Sequence, residues 1–192
     1  MPRSDGGRIV VIGASAGGVA ALRTLLGALA PDYPYPVVVV LHTRETQIEG
    51  LVSLFARSCT LPVLEAQAGE PLAAGCVYLA PGDYHLLVER DRRFSMSVDD
   101  RVCYVRPSAD VLFLSAADAY GRATIGVILT GTNDDGARGL AAIRSAGGIG
   151  LVQDPQEAEE PAMPEAAIKL AGADAVLPLH QLAERLHLER LT

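Results

Sequence analysis

The run Arg8-Ile-Val-Val-Ile-Gly-Ala-Ser-Ala-Gly-Gly18 identifies the fold class of this chain. It begins with an uninterrupted apolar stretch rich in β-branched residues, the pattern of a strand buried on both faces of a sheet. It ends in a glycine-rich turn, after which Leu22, Leu25, Leu26 and Leu29 recur at the spacing of one helix face. A buried strand that turns into an amphipathic helix is the opening of a βαβ unit.

The same alternation of apolar runs and amphipathic stretches continues to the C-terminus. The predicted strands are Arg8–Ile12, Val37–Leu41, Val77–Leu79, Thr124–Leu129, Ile149–Gln153 and Ala175–Leu177. Strands that alternate with helices predict a doubly wound α/β fold, a mostly parallel, Rossmann-like sheet with helices on both faces. Two further runs, Leu86–Arg90 and Phe94–Val98, flank a charged turn and predict an antiparallel β-hairpin that extends this sheet at one edge.

The composition is that of one globular domain. The chain has 192 residues, of which 49% are hydrophobic and 20% charged, and it contains no repeat, low-complexity tract or linker. We therefore expect a single domain over residues 1–192. The formal net charge of −7 would repel a phosphate backbone, so a nucleic acid is not expected as a partner.

The N-terminus lacks the apolar core of a signal peptide, and no apolar run is long enough to span a bilayer. We therefore expect a cytoplasmic protein that is not inserted into a membrane. The three cysteines, Cys59, Cys76 and Cys103, show no Cys-x-x-Cys spacing. Their odd number and their spacing favour reduced cysteines that act as small core residues, rather than disulfides or a zinc site.

Ligands of open α/β sheets bind beyond the carboxyl ends of the strands, so the loops after the strands are the candidate site. The first loop contains Gly13-x-Ser15-x-Gly17, in which a serine at a strand-to-helix turn projects its hydroxyl beside unpaired helix N–H groups. That setting suits an oxyanion. Two alternatives remain open, a dinucleotide loop in which Ser15 replaces the second glycine of the fingerprint, and a helix cap with a tight turn.

Histidine follows a second predicted strand. His42 comes directly after Val37–Leu41 and is the candidate general base. His85 also follows a strand and is the reserve candidate, with an ordinary turn residue as the alternative. His180 and His187 fall in or near the C-terminal amphipathic helix, where we expect a structural role.

Carboxylates follow a third predicted strand, in the loop Leu129-Thr-Gly-Thr-Asn-Asp-Asp-Gly136. A carboxylate at this point can accept a ring N–H of His42, which fixes the tautomer of the imidazole and stabilises its protonated form. Alternatively, Asp134 or Asp135 caps the following helix, a contribution of about 1 kcal/mol.

Together these motifs resemble the catalytic domain of the chemotaxis-type protein-glutamate methylesterases, the CheB family. The blocks that carry the resemblance are Val11-Ile-Gly-Ala-Ser-Ala-Gly-Gly18, Leu79-Ala-Pro-Gly-Asp-Tyr-His85, Arg106-Pro-Ser-Ala-Asp-Val-Leu-Phe113, Gly126-Val-Ile-Leu-Thr-Gly131 and Asp135-Gly-Ala-x-Gly139. Gln153-Asp154 and Met163-Pro164 are similar to the last block of the family.

The resemblance implies that Ser15 is the nucleophile, His42 the base and Asp135 the acid that orients it. For this mechanism we expect the backbone N–H groups of Ala16, the residue after the nucleophile, and of Thr132 as oxyanion donors. It implies hydrolysis of glutamate γ-methyl esters on methyl-accepting chemotaxis receptors, and also deamidation of receptor glutamines. The expected partner is a methylated chemoreceptor, and neither a metal nor an organic cofactor is expected. The chain is expected to be a catalytic domain alone, without the receiver domain that many family members carry in front.

Three segments on the substrate side depart from the pattern of the family. They are Leu41-His-Thr-Arg-Glu-Thr-Gln47, Thr130-Gly-Thr-Asn133 and the acidic stretch Pro155–Pro161. These departures leave open a non-catalytic receptor- or partner-binding module of the same fold. A nucleotide-dependent enzyme, with Arg44 on a phosphate, is a further alternative. Arg106 and Asp110 are expected to support the cleft without a chemical role.

Overall fold

Seven parallel strands form the central sheet of the computed structural model, which describes residues 7–42 and 48–189. The strands of this sheet are β1 (Ile9–Ala14), β2 (Val37–Leu41), β3 (Val63–Glu65), β4 (Val77–Leu79), β7 (Thr124–Ile128), β8 (Ile149–Gln153) and β9 (Ala175–Leu177). They lie side by side in the order β3-β4-β2-β1-β7-β8-β9. The predicted parallel sheet is confirmed, and β3 is the strand that sequence analysis did not identify.

Helices cover both faces of the sheet. They are α1 (Gly18–Gly27), α2 (Ile48–Ala56), α3 (Ala109–Tyr120), α4 (Ala137–Ser145), α5 (Ala162–Ala171) and α6 (Leu179–Leu188). Successive side chains of a strand point to opposite faces, and β1 shows the result. Val10 and Ile12 pack with α1 and α6, whereas Ile9 and Val11 pack with α3, α4 and α5. The fold is therefore doubly wound, with an aliphatic core on each side.

The predicted hairpin is present as β5 (His85–Val88) and β6 (Phe94–Ser97), which pair in antiparallel fashion. The sequence predicted that this hairpin extends the main sheet, and that prediction is wrong. The hairpin forms a separate two-stranded sheet. Its apolar side chains pack over α3 instead, and the Val88 N–H donates to Ser115 Oγ over 3.0 Å. Phe94 also stacks edge-on against Tyr78 with ring centroids 4.9 Å apart. Burial of this apolar face accounts for the different position of the hairpin.

The three middle strands bring the candidate residues together. Ala14 at the end of β1 pairs in register with Leu41 at the end of β2, and Gly13 pairs with Ile128 at the end of β7. Ser15, His42 and the loop after β7 therefore leave the sheet at one edge. Within the described residues, none of the helices is both long enough and apolar enough to cross a membrane.

Candidate active site

Ser15 lies in the turn between β1 and α1. Its backbone N–H donates to the carbonyl of Thr130 over 2.9 Å, and its carbonyl accepts from the Gly18 N–H over 2.8 Å. The N-cap of α1 is Gly17, with a φ of 75° and no side-chain cap hydrogen bond. Ser15, which is half-buried, therefore does not cap α1. Its hydroxyl is not needed to satisfy the N-terminus of the helix.

Close packing presses the loop after β7 against the serine turn. A Cβ atom added to Gly131 would lie 2.9 Å from Ser15 Cβ, which leaves no room for a side chain. The hydroxyl of Thr130 donates to the carbonyl of Ala16 over 2.9 Å and accepts from the Glu160 N–H over 2.8 Å. The serine turn is thus held by its neighbours on the β7 side.

His42 follows β2 directly, and its backbone N–H donates to the carbonyl of Ala14 over 3.1 Å. The His42 ring is nearly buried, and its Nε2 lies 2.8 Å from Asp135 Oδ2. Because a carboxylate only accepts, Nε2 carries the proton of the neutral ring and Nδ1 carries the lone pair. His42 Nδ1 is buried and has no hydrogen-bond partner among the described residues.

The carboxylate of Asp135 is fully buried and accepts hydrogen bonds at both oxygens. Oδ1 accepts from Ser108 Oγ over 2.6 Å and from the Asp110 N–H over 3.0 Å, while Oδ2 also accepts from the Ala109 N–H over 2.6 Å. These donors belong to the first turn of α3, whose N-cap is Ser108. The unpaired amides of a helix N-terminus therefore hold this carboxylate.

Burial alone would raise the pKa of Asp135. The hydrogen bonds from His42, Ser108 and the two backbone amides outweigh burial, so the pKa lies below its ordinary value. Asp135 is accordingly a carboxylate at neutral pH. It can fix the His42 tautomer and stabilise a protonated ring.

The alternative in which a carboxylate caps the helix after β7 is wrong. The N-cap of α4 is Gly136, with a φ of 92° and no side-chain cap hydrogen bond. Asp134 is exposed and is hydrogen-bonded to the Cys103 thiol. Burial and this hydrogen bond, with the charges of nearby carboxylates, raise the pKa of Cys103 to about 12.

Asp110 and Arg106 lie beside the site. Asp110 Oδ1 accepts from the Gly139 N–H over 2.7 Å, whereas its buried Oδ2 has no partner among the described residues. Burial raises the pKa of the Asp110 carboxyl above its ordinary value. Arg106 pairs with Asp83 at 3.2 Å and donates to the carbonyls of Val98 and Asp99, so it braces the segment that leads into α3.

The other histidines do not join this cluster. His85 is 1% exposed, and its Nε2 contacts the carbonyl of Asp100 at 3.0 Å, which ties the hairpin to the segment after it. His180 is exposed on α6. His187 contacts the carbonyl of Ala28 at 2.9 Å and stacks edge-on against Tyr33. These contacts agree with the structural role that we expected for it from the sequence.

The amides named as oxyanion donors are free to bind. Neither the Ala16 N–H nor the Thr132 N–H donates to an acceptor within residues 7–42 and 48–189. Ala16 follows the serine, and Thr132 follows Gly131, where an added Cβ atom would lie 2.9 Å from Ser15 Cβ. Both amides therefore belong to the two segments that meet at the serine.

Cys103, Asp110 and Asp135 form the one group of possible metal ligands in the described chain, with ligand atoms within 4.8 Å of one another. Asp135 already accepts four hydrogen bonds. The raised pKa of about 12 keeps the Cys103 thiol protonated. With both Asp135 oxygens occupied, Asp110 Oδ2 is the one carboxylate oxygen of this group without a partner among the described residues.

The glycine pattern of the first loop serves packing. A Cβ atom added to Gly13 would lie 2.8 Å from the Cβ atom of Ala109, so this glycine admits α3 to the sheet. A close approach of pyrophosphate is not needed to explain it. Arg44 and the rest of residues 43–47 lie outside the described residues, so the phosphate contact stays a prediction.

Ser108 is the residue of the site that sequence reasoning did not assign. A serine directly before an apolar run with an acidic second residue is a helix N-cap signal, and Ser108-Ala109-Asp110 carries it. The signal predicts the start of α3. It does not predict that the capping hydroxyl also binds Asp135.

Fold and site together define a class, a doubly wound α/β protein in which the loops after the central strands carry a serine, a histidine and a buried carboxylate. Residues 10–186 match the CheB methylesterase family over most of the chain, and the chain belongs to that family.

Solved and curated relatives agree with this assignment. The crystal structure of the Thermotoga maritima CheB methylesterase catalytic domain superposes with a TM-score of 0.90 at 36% identity, covering 94% of this chain and 97% of that one. A Leptospira interrogans relative is 43% identical over 175 residues, 91% of each chain. The Anaeromyxobacter dehalogenans protein-glutamate methylesterase/protein-glutamine glutaminase 5 is 44% identical over 93% of this chain, which spans 51% of that relative.

Proposed function

We propose that this protein hydrolyses glutamate γ-methyl esters on methyl-accepting chemotaxis receptors, with Ser15 as nucleophile, His42 as general base and Asp135 as the orienting carboxylate. The contact of 2.8 Å between His42 Nε2 and Asp135 Oδ2 carries the proposal, because it leaves the buried Nδ1 as the free base. The names of the curated relatives supply the substrate class.

The first half of the reaction forms an acyl-enzyme. Ser15 Oγ attacks the ester carbonyl carbon while its proton passes to His42 Nδ1, and the negative charge on the carbonyl oxygen is met by the Ala16 and Thr132 amides. One such donor contributes about 3 kcal/mol to the transition state. His42 then gives the proton to the departing methoxide, which leaves as methanol.

The second half restores the enzyme. A water molecule attacks the acyl carbon, His42 takes its proton and returns it to Ser15 Oγ, and the glutamate carboxylate leaves. The net change is one ester and one water converted to one carboxylic acid and one methanol. A glutamine side chain would follow the same steps with ammonia as the leaving group, in line with the glutaminase named in the relatives.

Asp135 acts through His42 in this scheme. Its charge holds the proton on Nε2, so that the lone pair of Nδ1 is available for Ser15. The same charge stabilises the ring once it is protonated. The proposed substrate is the cytoplasmic domain of a methylated receptor, and the reaction accordingly takes place in the cytoplasm.

Methanol release from methylated receptor fragments tests the proposal. Ser15→Ala should lower the turnover number by about 10⁴-fold or more, and a fluorophosphonate should label the unaltered protein but not this variant. Ser53→Ala is the matched control, because Ser53 is exposed on α2 and belongs to neither the serine turn nor the loop after β7. Unchanged methanol release in Ser15→Ala contradicts the proposal. Absence of labelling together with intact receptor binding indicates a non-catalytic binding module.

A further inference from the structure

A groove between α4 and α5 begins beside the candidate active site. Its first part is a cavity of about 420 Å³ lined by Asp134, Ala137, Arg138, Ala166, Lys169 and Leu170. A second cavity of about 390 Å³ continues from it and shares Leu170. The groove thus runs along α4 from Ala137 to Ser145.

Two exposed cations, Arg138 and Lys169, line the groove. Arg138 and Lys169 are both exposed, and neither forms an ion pair within residues 7–42 and 48–189. Asp134 faces the same cavity, but it is hydrogen-bonded to the Cys103 thiol and offsets one charge of the two. The groove therefore has a net positive charge, whereas the whole chain has a formal net charge of −7.

The floor of the groove is apolar. Ala137 is buried and Ala166 half-buried, whereas Leu170 leaves 58% of its surface exposed. Exposed aliphatic surface between two cations matches a polypeptide segment that has both apolar and acidic side chains. An inorganic anion would make no use of the apolar floor.

The groove lies within reach of a chain whose ester is at Ser15. Met163, in the first turn of α5, packs against Gly131, which in turn contacts Ser15. Lys169 follows Met163 by six residues, a rise of about 9 Å along the helix. An extended segment covers that distance with about three residues.

We propose that the α4–α5 groove binds the acidic segment of the polypeptide substrate next to the esterified glutamate, with Arg138 and Lys169 contacting its carboxylates. This inference rests on the proposed function, because the ester at Ser15 fixes where the neighbouring residues lie. The groove selects among ester-bearing polypeptides. It does not take part in bond breaking.

Kinetics on a matched peptide pair test the groove. One peptide carries a glutamate γ-methyl ester flanked by glutamates, and the other carries the same ester flanked by glutamines. In the double variant Arg138→Glu/Lys169→Glu, KM for the acidic peptide should rise about tenfold, because two attractions become repulsions, while kcat stays unchanged. KM for the glutamine peptide should not change. A third peptide with flanking lysines should bind the double variant better than the unaltered protein.

The double variant Arg57→Glu/Arg122→Glu is the control with the same change in charge. Both arginines are exposed and lie at the end of the sheet remote from Ser15, after α2 and before β7. If the groove variant and this control show the same KM for the acidic peptide, the proposal is overturned. It is also overturned if charge reversal in the groove changes only the oligomeric state in sedimentation, which would make the groove a contact between copies.

Equilibrium binding separates this inference from the proposed function. Fluorescence anisotropy of the labelled acidic peptide reports the groove without any turnover. Binding that is lost in the groove variant supports the groove even where no methanol is released. Release of methanol with groove-independent binding supports the function and overturns the groove.

Discussion

Ser108 Oγ donates to Asp135 Oδ1 over 2.6 Å, so the residue that caps α3 also anchors the carboxylate that orients His42. The same hydroxyl oxygen accepts from the Val111 N–H over 3.4 Å. The start of a structural helix and the position of the site carboxylate are therefore fixed by one side chain. Substitutions at either residue should affect stability and activity together.

Asp135→Asn should lower turnover by about 10⁴-fold, because the amide keeps the size of the side chain but presents an N–H donor to His42 or to α3. An amide nitrogen placed against donors also costs about 1 to 3 kcal/mol of the free energy of unfolding. Asp134→Asn is the matched control, since Asp134 is exposed and one residue away. Methanol release and urea unfolding measure the two effects. A larger loss of turnover in Asp134→Asn than in Asp135→Asn would show that Asp134, and not Asp135, orients His42.

The loss of stability at acid pH, measured as the free energy of unfolding, should depend on Asp135. Its folded pKa lies below the ordinary value of 3.8, so its contribution is fully present above 3.8 and is lost as the pH falls through the folded pKa. Unfolding of the unaltered protein and of Asp135→Asn should therefore converge in free energy as the pH is lowered below 3.8. A constant difference down to the lowest pH that the fold survives would contradict this origin.

Asp110→Asn should show the opposite pH dependence. The folded pKa of Asp110 lies above 3.8, so the unaltered protein loses stability as the pH rises from 3.8 through the folded pKa. The amide side chain of the variant keeps an acceptor for the Gly139 N–H and has no proton to lose. The free energy of unfolding of the variant relative to the unaltered protein should thus increase from acid to neutral pH, as measured by urea unfolding at several pH values. A flat difference would show that Asp110 is not the group that titrates.

Gly131→Ala should reduce the turnover number by about 10- to 100-fold while the protein still folds. The added methyl group would lie 2.9 Å from Ser15 Cβ and 3.1 Å from Met163 Cβ, so the serine turn must shift, and small shifts of reacting groups are costly. Overpacking of this kind costs about 1 to 3 kcal/mol of stability. Gly50→Ala is the control, because nothing lies within 4 Å of the added methyl group. Equal activity of the two variants would contradict the predicted contact.

Cys103 should resist alkylation in the native protein. Its pKa of about 12, against an ordinary 9.0, leaves about 1000-fold less thiolate near neutral pH than an unfolded cysteine has. Iodoacetamide labelling, followed by mass spectrometry of the peptide with and without urea, measures the ratio. Equal rates in the two conditions would show that burial and the neighbouring carboxylates do not raise the pKa of Cys103 in the folded protein.

Most of the sheet could be predicted because buried parallel strands read as uninterrupted apolar runs. The strands β2, β4, β8 and β9 have the predicted bounds, β1 starts one residue later and extends to Ala14, and β7 ends one residue earlier. The strand β3 was missed because its sequence, Val63-Leu64-Glu65, follows a proline and ends in a charged residue, so only two apolar residues stand together. The strand β9 is equally short and also lies at an edge, but its three residues are all apolar.

The part of the site that depends on which residues follow the central strands could be predicted from the sequence. Ser15 and His42 follow adjacent parallel strands, and the contact of His42 with Asp135 was expected from their positions at strand ends. The sequence does not reveal which ring nitrogen faces the carboxylate, nor that Ser108 and the first turn of α3 surround it. Both depend on how α3 packs against the sheet, through the contact between Gly13 and Ala109.

The order of the seven strands places β2, β1 and β7 in the middle, with two strands outside them on each side. Fluctuations that open a sheet begin at its edges, where the fewest contacts must be broken. Such openings reach β3 or β9 without disturbing the strands that carry Ser15, His42 and Asp135. Heat should therefore remove catalysis and native structure in the same transition.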